Sequence, residues 1–208
     1  MHITAFLFML NLLFTITTSC ASPDPFTSHA HLQPQVQQGD ISTILADISS
    51  LNTLVSSLTT TATGYSGSLA ETLALASTVK QLKSALATAT TDVRAEVVLQ
   101  GNESKRLVSA AEDLAMGIRA LLVVLGGKAP VIAEAGYTSP VSDQLKALKA
   151  STSEVFVALD GKVGVEELES VRGMQGTVGE AFERARISFS GKVGRQRNEF
   201  VGIRLGVH

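Results

Sequence analysis

The sequence is poor in the residue types that most enzymes and metal sites use. Of its 208 residues, one is cysteine and four are histidine. Cys20 lies in an N-terminal apolar segment, and no histidine falls between residues 41 and 189. The commonest nucleophile–base pairs and zinc ligand sets are therefore missing from the main part of the chain. We predict no metal site, no cofactor and no enzymatic activity.

Aromatic and charged residues are also scarce. There is no tryptophan, aromatic residues make up 5% of the chain, and the formal net charge is −2. Single-stranded nucleic acids need a basic groove with aromatic stacking platforms, so we exclude a nucleic-acid partner. The charge is unevenly distributed along the chain, because residues 184–208 contain six Lys/Arg and one Glu, a local charge of +5. Such a basic tail can contact an acidic wall polymer or a membrane surface, but a tail of this kind is more often an unstructured end.

The N-terminal residues have the composition of an export signal. The apolar run from Phe6 to Phe14 is followed by Ser19 and Ala21, small residues that fit a cleavage site after Ala21. We predict a signal peptide at 1–21 and a secreted mature protein without a transmembrane segment. Residues 22–40 hold three of the five prolines and many glutamines, which indicates a flexible lead-in. The basic, glycine-rich tail covers 190–208.

Between residues 41 and 189, apolar residues recur every three or four positions, the spacing of one helical face. No segment alternates as a half-buried strand would. We therefore predict an all-α fold, a five-helix bundle whose apolar stripes leave water by facing one another. The predicted helices cover about 41–61, 67–90, 102–126, 140–160 and 168–189, and residues 131–138 add at most one helical turn.

Two polar residues are predicted to cap helices. The Asn102 side chain can accept a hydrogen bond from a first-turn amide of the third helix, and Ser139 before Pro140 can do the same for the fourth. Gly126 and Gly127 mark the end of the third helix. Asn102 also begins the one Asn-x-Ser/Thr sequon with a permissive middle residue, so we predict that it is glycosylated in an exported protein.

The side chains on the inward faces are mostly small or aliphatic, so the bundle is expected to leave room for an apolar central cavity. We predict a polar anchor for a ligand at Thr152, the one hydroxyl on the apolar face of the fourth helix. The alternative is that this hydroxyl bonds the backbone carbonyl four residues earlier. The predicted apolar lining is Leu51, Leu82, Leu114, Ile118, Leu121, Leu148, Phe156, Met174 and Phe182.

The order of several segments resembles a known family. These segments are ISTILADISSLNTLVSSL, LKSAL, a stretch containing Leu125, Lys128 and Pro130 and ending in Ala135-Gly136-Tyr137, and VSDQLKALKASTSEVFVAL. Together they resemble the fungal hydrophobic surface-binding protein A family, which includes the cell-wall galactomannoproteins. The resemblance covers roughly 41–189. It implies a secreted or wall-associated, non-enzymatic helical bundle that adsorbs to hydrophobic surfaces and, in some members, encloses a fatty acid.

Two functions stay open from the sequence. In the first, the protein binds a fatty acid or another apolar ligand, or a hydrophobic surface, with cell-wall polysaccharide as a further partner. In the second, it is a structural cell-wall mannoprotein with a fully packed core and no bound ligand. The methylenes of a C16 chain would contribute about 11 kcal/mol on burial, but association costs about 4–15 kcal/mol, so energetics alone do not choose between the two.

Overall fold

The computed structural model of the protein describes residues 41–190, which form six helices. The predicted signal (1–21), the lead-in (22–40) and the basic tail beyond Ser190 lie outside the described residues. The five predicted helices are present, and the segment expected to add one turn forms a sixth, short helix. The helices are α1 (Ile41–Gly64), α2 (Leu69–Ala95), α3 (Gly101–Gly127), α4 (Ala129–Glu134), α5 (Thr138–Asp160) and α6 (Leu168–Phe189).

The five long helices form a closed ring in the order α1, α2, α5, α6, α3, in which each helix packs against two neighbours. The last turns of α1 and α3 and the first turns of α2 and α5 meet at one end together with α4, here called the α4 end. At the opposite end, called the loop end, the α2–α3 and α5–α6 loops are joined where the Leu99 amide donates to the Lys162 carbonyl at 2.7 Å. The closed ring turns every apolar stripe inward.

Helix α1 shows how this sequence makes amphipathic helices from many serines and threonines. Its inward face is buried, and exposed hydroxyls donate to the carbonyl four residues back, as Thr60 does to Ser56 at 3.1 Å. Thr63 makes the same bond to Thr59, so α1 runs past its predicted end at residue 61. Within residues 41–190, only α1 is long and apolar enough to cross a membrane. Buried core helices meet the same two criteria, so length and composition alone do not indicate a membrane span. Its buried residues are Ile44, Ile48, Leu51, Val55, Leu58 and Ala62.

Both predicted caps are wrong. Gly101 has a φ of +58°, a left-handed conformation that starts α3 one residue early, so Asn102 is already helical and its side chain caps nothing. Helix α5 begins at Thr138, because the Tyr137 carbonyl accepts from the Val141 amide at 3.1 Å and so Ser139 lies inside the first turn. Gly126 and Gly127 do end α3, as predicted.

The loop end is held together by buried polar contacts. The fully buried Ser104 Oγ of α3 accepts a hydrogen bond from the Gly164 amide at 2.9 Å and donates to Glu167 Oε2 at 3.2 Å. The Lys162 ammonium donates to the Glu96 carbonyl, which ties the same two loops again. These bonds satisfy backbone groups that the loops would otherwise bury without partners.

We expect Ser104→Ala to lower the free energy of unfolding by about 1–3 kcal/mol, because the Gly164 amide and the Glu167 carboxylate each lose a buried partner. The measurement is urea unfolding followed by circular dichroism. Ser109→Ala is the matched control, since Ser109 is exposed on the same helix and both changes alter helix propensity alike. Equal stability of the two variants would contradict the role given to Ser104.

Candidate functional site

An apolar cavity of about 170 Å³ lies inside the ring at the α4 end. The apolar cavity expected from the sequence is therefore present, but it lies toward one end of the bundle. Five helices, α1 to α5, contribute to its wall. The lining residues are Leu58, Tyr65, Thr72, Leu75, Ala76, Val79, Leu125, Ile132, Tyr137, Pro140, Val141, Gln144, Leu145 and Leu148.

Tyr65, in the α1–α2 loop, is a buried polar residue of this cavity. Its hydroxyl lies 3.0 Å from the Thr72 hydroxyl, which itself donates to the Ser68 carbonyl at 2.9 Å. Since the Thr72 proton is used in that second bond, Tyr65 must be the donor to Thr72. Neither hydroxyl therefore has a free proton to offer a ligand carboxylate. The pair shapes the cavity rather than anchoring an acid.

The α1–α2 loop rests on α4. The Lys128 ammonium donates to the Tyr65 carbonyl at 3.1 Å. Gly67 has a φ of +102°, and a Cβ there would lie 3.5 Å from the Val131 side chain. Glycine is thus favoured by the left-handed turn, while a side chain there would be in ordinary contact with α4. Together the loop and α4 close the α4 end over the cavity.

Glu71 fastens the same loop to the start of α2. Its carboxylate accepts hydrogen bonds from the Ser66 and Ser68 amides at 2.9 and 3.1 Å, and Ser68 caps the helix by accepting from the Glu71 amide. This reciprocal pair is a capping box. The Ser66 amide first, and the Ser68 amide second, hold the pKa of Glu71 at about 2, far below its ordinary value of 4.5.

Two further, narrower cavities continue from the first along α5. Leu125 and Leu148 border both the end cavity and a cavity of about 10 Å³ in the middle of the ring. Thr152 and Phe182 in turn border this central cavity and one of about 40 Å³ between α5 and α6. The three spaces thus form an interrupted path through the ring, with aliphatic side chains between them.

Most of the residues predicted to line a ligand site lie on this path. The structure brings seven of them to the central cavity: Leu82, Leu114, Ile118, Leu121, Leu148, Thr152 and Phe182. Phe156 lies on the cavity between α5 and α6. Leu51 is fully buried in the core away from the cavities described here, and Met174 is half-buried against the core. These assignments remain predictions.

Thr152 differs from the other buried threonine of the ring. Thr90 is 4% exposed, and its hydroxyl donates a hydrogen bond to the Leu86 carbonyl at 2.8 Å. Thr152 is 3% exposed and makes no such bond to the carbonyl four residues earlier or to any other group in 41–190. Its side chain borders two cavities. Its hydroxyl is therefore available to a ligand or to water in these cavities.

The cavity between α5 and α6 also has polar side chains on its wall. Besides Thr152, it is lined by Lys149, Ser153 and Gln175. Gln175 Nε2 donates to Ser153 Oγ at 3.2 Å, and Lys149 Nζ lies 2.6 Å from Glu183 Oε1. Lys149 first, and Arg186 second, lower the pKa of Glu183. Polar side chains therefore lie at both ends of the path, and the α5–α6 end also has the ammonium group of Lys149.

Of the wall of the end cavity, the predicted lining includes Leu148 alone. Leu58, Leu75 and Val79 lie on apolar stripes of the sequence, but periodicity does not show that these stripes meet Tyr65 and Tyr137 around one space. One signal was present: Tyr65 and Tyr137 are the only tyrosines, and each directly precedes or follows a turn. Asn102 is exposed in the first turn of α3, so its predicted glycosylation is sterically open. Within 41–190, no three His, Asp or Glu side chains cluster in a way that could hold a metal ion.

The fold and the cavity define a helical bundle with an apolar interior open to occupation. Residues 41–155 match the sequence pattern of a protein family described as "Hydrophobic surface binding protein A". This match covers more than half of the chain, and the chain belongs to that family. No match was found among curated proteins.

Solved structures share the fold. The chain is 28% identical to Afmp4p, whose crystal structure in complex with palmitic acid matches with a TM-score of 0.71, over 73% of this chain and 100% of that one. Ligand binding domain 2 of the Penicillium marneffei MP1 protein, complexed with multiple arachidonic acids, matches at 20% identity and a TM-score of 0.68, over 73% and 97% of the chains. Domain 1 of that protein, with arachidonic acids, matches at 17% identity and a TM-score of 0.65, over 72% and 95%. The last two comparisons show the common fold alone.

We expect Glu71→Gln to weaken the closure of the cavity at neutral pH. Because the pKa of Glu71 is about 2 in the folded protein and ordinarily 4.5, its stabilising contribution is present above pH 4.5 and is lost as the pH falls through about 2. The difference in melting temperature between wild type and variant should therefore shrink across that range. Glu103→Gln, on the exposed first turn of α3, is the control. A difference that does not change with pH would contradict the capping role.

Proposed function

We propose that this protein binds fatty acids in the interior of the helical ring, with the acyl chain entering the cavity at the α4 end. The observation that carries the proposal is the apolar cavity under α4 with its interrupted continuation to Thr152. The complexes of Afmp4p with palmitic acid and of MP1 domains with arachidonic acids support a lipid as the occupant. Binding is driven by burial of methylene groups, each worth about 0.8 kcal/mol.

The ring must widen when the ligand enters. Drug-sized and cofactor ligands occupy pockets of about 300–1,000 Å³. The end cavity measures about 170 Å³, and the two spaces beyond it measure about 10 and 40 Å³. A long acyl chain therefore has to displace Leu125 and Leu148, the side chains that separate the first two cavities. The work of displacement reduces the affinity that methylene burial alone would give.

The carboxylate lies at the α5–α6 end of the path in this proposal. Thr152 provides an unpaired hydroxyl donor, and Lys149 and Gln175 lie on the same small cavity. A hydroxyl alone does not offset the loss of hydration of a carboxylate. The Lys149 ammonium, at the same contact between α5 and α6, supplies the missing positive charge and is shared with Glu183.

The proposed location and modification of the protein are inferred from its sequence. We propose an exported protein that acts as a carrier and not as a catalyst, glycosylated at Asn102, with the cell wall and its polysaccharide as a further place of contact. A structural mannoprotein is the second candidate, because most of the core is filled by side chains. Native mass spectrometry separates the two: a bound mass of a few hundred daltons, lost on organic extraction, supports the carrier. Adsorption to hydrophobic beads without such a mass supports the coating role.

Filling the end cavity should abolish binding. Val141 is half-buried on its wall, and we expect Val141→Trp to lower the affinity for palmitic acid at least about tenfold, because the indole occupies the space of the methylenes farthest from the carboxylate. Isothermal titration calorimetry measures the effect. Leu73→Trp is the control, since Leu73 is 62% exposed on the neighbouring helix. Wild-type affinity in a folded Val141→Trp protein would show that the ligand does not enter here.

The polar anchor is tested by removing one hydroxyl. We expect Thr152→Val to weaken fatty-acid binding about tenfold, because a hydrogen bond to a charged group is worth about 1.5–3 kcal/mol, and to leave binding of an alkane of equal length nearly unchanged. Thr90→Val is the matched control, since its equally buried hydroxyl is already bonded to Leu86. Equal losses for acid and alkane would remove Thr152 from the head-group site.

A further inference from the structure

A second concave surface lies on the outside of the ring, between α3 and α6. This groove has a volume of about 590 Å³ and is lined near the α4 end by the last turns of both helices. Its floor is made of small residues, including Gly126, Ala181 and Ala185. A Cβ on Gly126 would lie 3.4 Å from the Ser188 hydroxyl, so the two helices approach closely there. We call this surface the α3–α6 groove.

The charge of the α3–α6 groove is positive. Arg119 of α3 and Arg184 of α6 line it, and none of its lining residues is acidic. Elsewhere on α6, arginines are paired: Arg172 lies 2.9 Å from Asp160, and Arg186 lies 2.9 Å from Glu183. Arg119 and Arg184 make no ion pair with any residue in 41–190. Two guanidinium groups are thus free to meet an anionic partner.

The same groove exposes apolar side chains. Met116 is 54% exposed and Val123 is 76% exposed, and both lie beside Arg119 on the outer face of α3. Exposed apolar groups flanked by arginines suit a surface that is itself amphipathic. A bilayer with anionic headgroups offers negative charge to the arginines and an apolar layer to Met116 and Val123. A purely polar anion would leave these apolar side chains in water.

We infer that the α3–α6 groove docks the protein on an anionic phospholipid bilayer. Charge complementarity carries the inference, because a chain of net charge −2 is attracted to an anionic surface only through a locally basic face. The sequence continues the same sign, with +5 over residues 184–208, which begin at the groove. The inference extends the proposed function: the groove ends at Gly127, just before α4, so docking would bring the cavity entrance near the lipid. Docking does not itself require a bound fatty acid.

Flotation of the purified protein with vesicles tests the inference. We expect binding to phosphatidylcholine vesicles that contain phosphatidylglycerol and much weaker binding to phosphatidylcholine alone. Arg119→Glu combined with Arg184→Glu should lower the partition coefficient about tenfold or more, since each basic residue near the surface contributes to attraction. The matched control is Arg94→Glu with Arg106→Glu. It makes the same change in net charge at exposed positions toward the loop end and should leave binding within about twofold.

Several outcomes would overturn the inference. One is equal loss in both double variants, which would indicate net charge alone; another is equal binding to both kinds of vesicle. A full-length variant with Lys192, Arg195, Arg197 and Arg204 changed to Gln that loses all binding, while the groove variant keeps it, would assign docking to the tail. Fatty-acid titration without vesicles separates this inference from the proposed function. The groove variant should retain affinity for palmitic acid, whereas Val141→Trp should lose that affinity and still float with anionic vesicles.

Discussion

The inward packing of five amphipathic helices around a closed ring is the constraint on which the rest of the structure depends. Each long helix has two neighbours, so its apolar face contacts side chains from several directions and is removed from water. The inward residues are mainly leucine, valine, isoleucine and alanine. Such side chains fill the middle of the ring closely, but they leave space where helix ends diverge. The cavity at the α4 end is a consequence of this geometry.

The two ends of the ring are closed by different interactions. At the loop end, Ser104 links the α5–α6 loop to α3 through hydrogen bonds at 2.9 and 3.2 Å, and the Lys162 ammonium bonds the α2–α3 loop. At the α4 end, closure depends on the six-residue helix α4 and on the α1–α2 loop, which turns at Gly67. The solvent-exposed carboxylate of Glu71 holds this loop to the start of α2. Buried bonds are harder to open than exposed ones, because breaking them leaves unpaired groups. The asymmetry agrees with the proposed entry of the ligand at the α4 end.

The helices and much of the interior could be predicted from sequence because their signal is periodic. Leucines at 82, 114, 121 and 148 meet inside the ring, because each lies on an apolar stripe that is removed from water only when it faces the other helices. The helix starts at Asn102 and Ser139 were misplaced, because left-handed glycines at 101 and 136 decide where the chain turns. The ring order was beyond prediction, since five stripes of similar aliphatic residues do not specify their neighbours. The position of the cavity at one end was not predicted for the same reason, since its wall combines residues of five helices.

The first half of α2 is the part of the ring best able to move outward for a ligand. No residue from Leu69 to Gln81 is fully buried, whereas Leu82, Leu86, Ala89 and Val93 in the second half are core residues. Leu75 and Val79 are half-buried and line the end cavity. Displacing this segment would cost little apolar burial, because its side chains have few partners to lose. The α5 wall opposite has more apolar burial to lose, since Leu145 and Leu148 are buried. An acyl chain that outgrows the cavity would therefore push α2 away from α5 and keep the loop end unchanged.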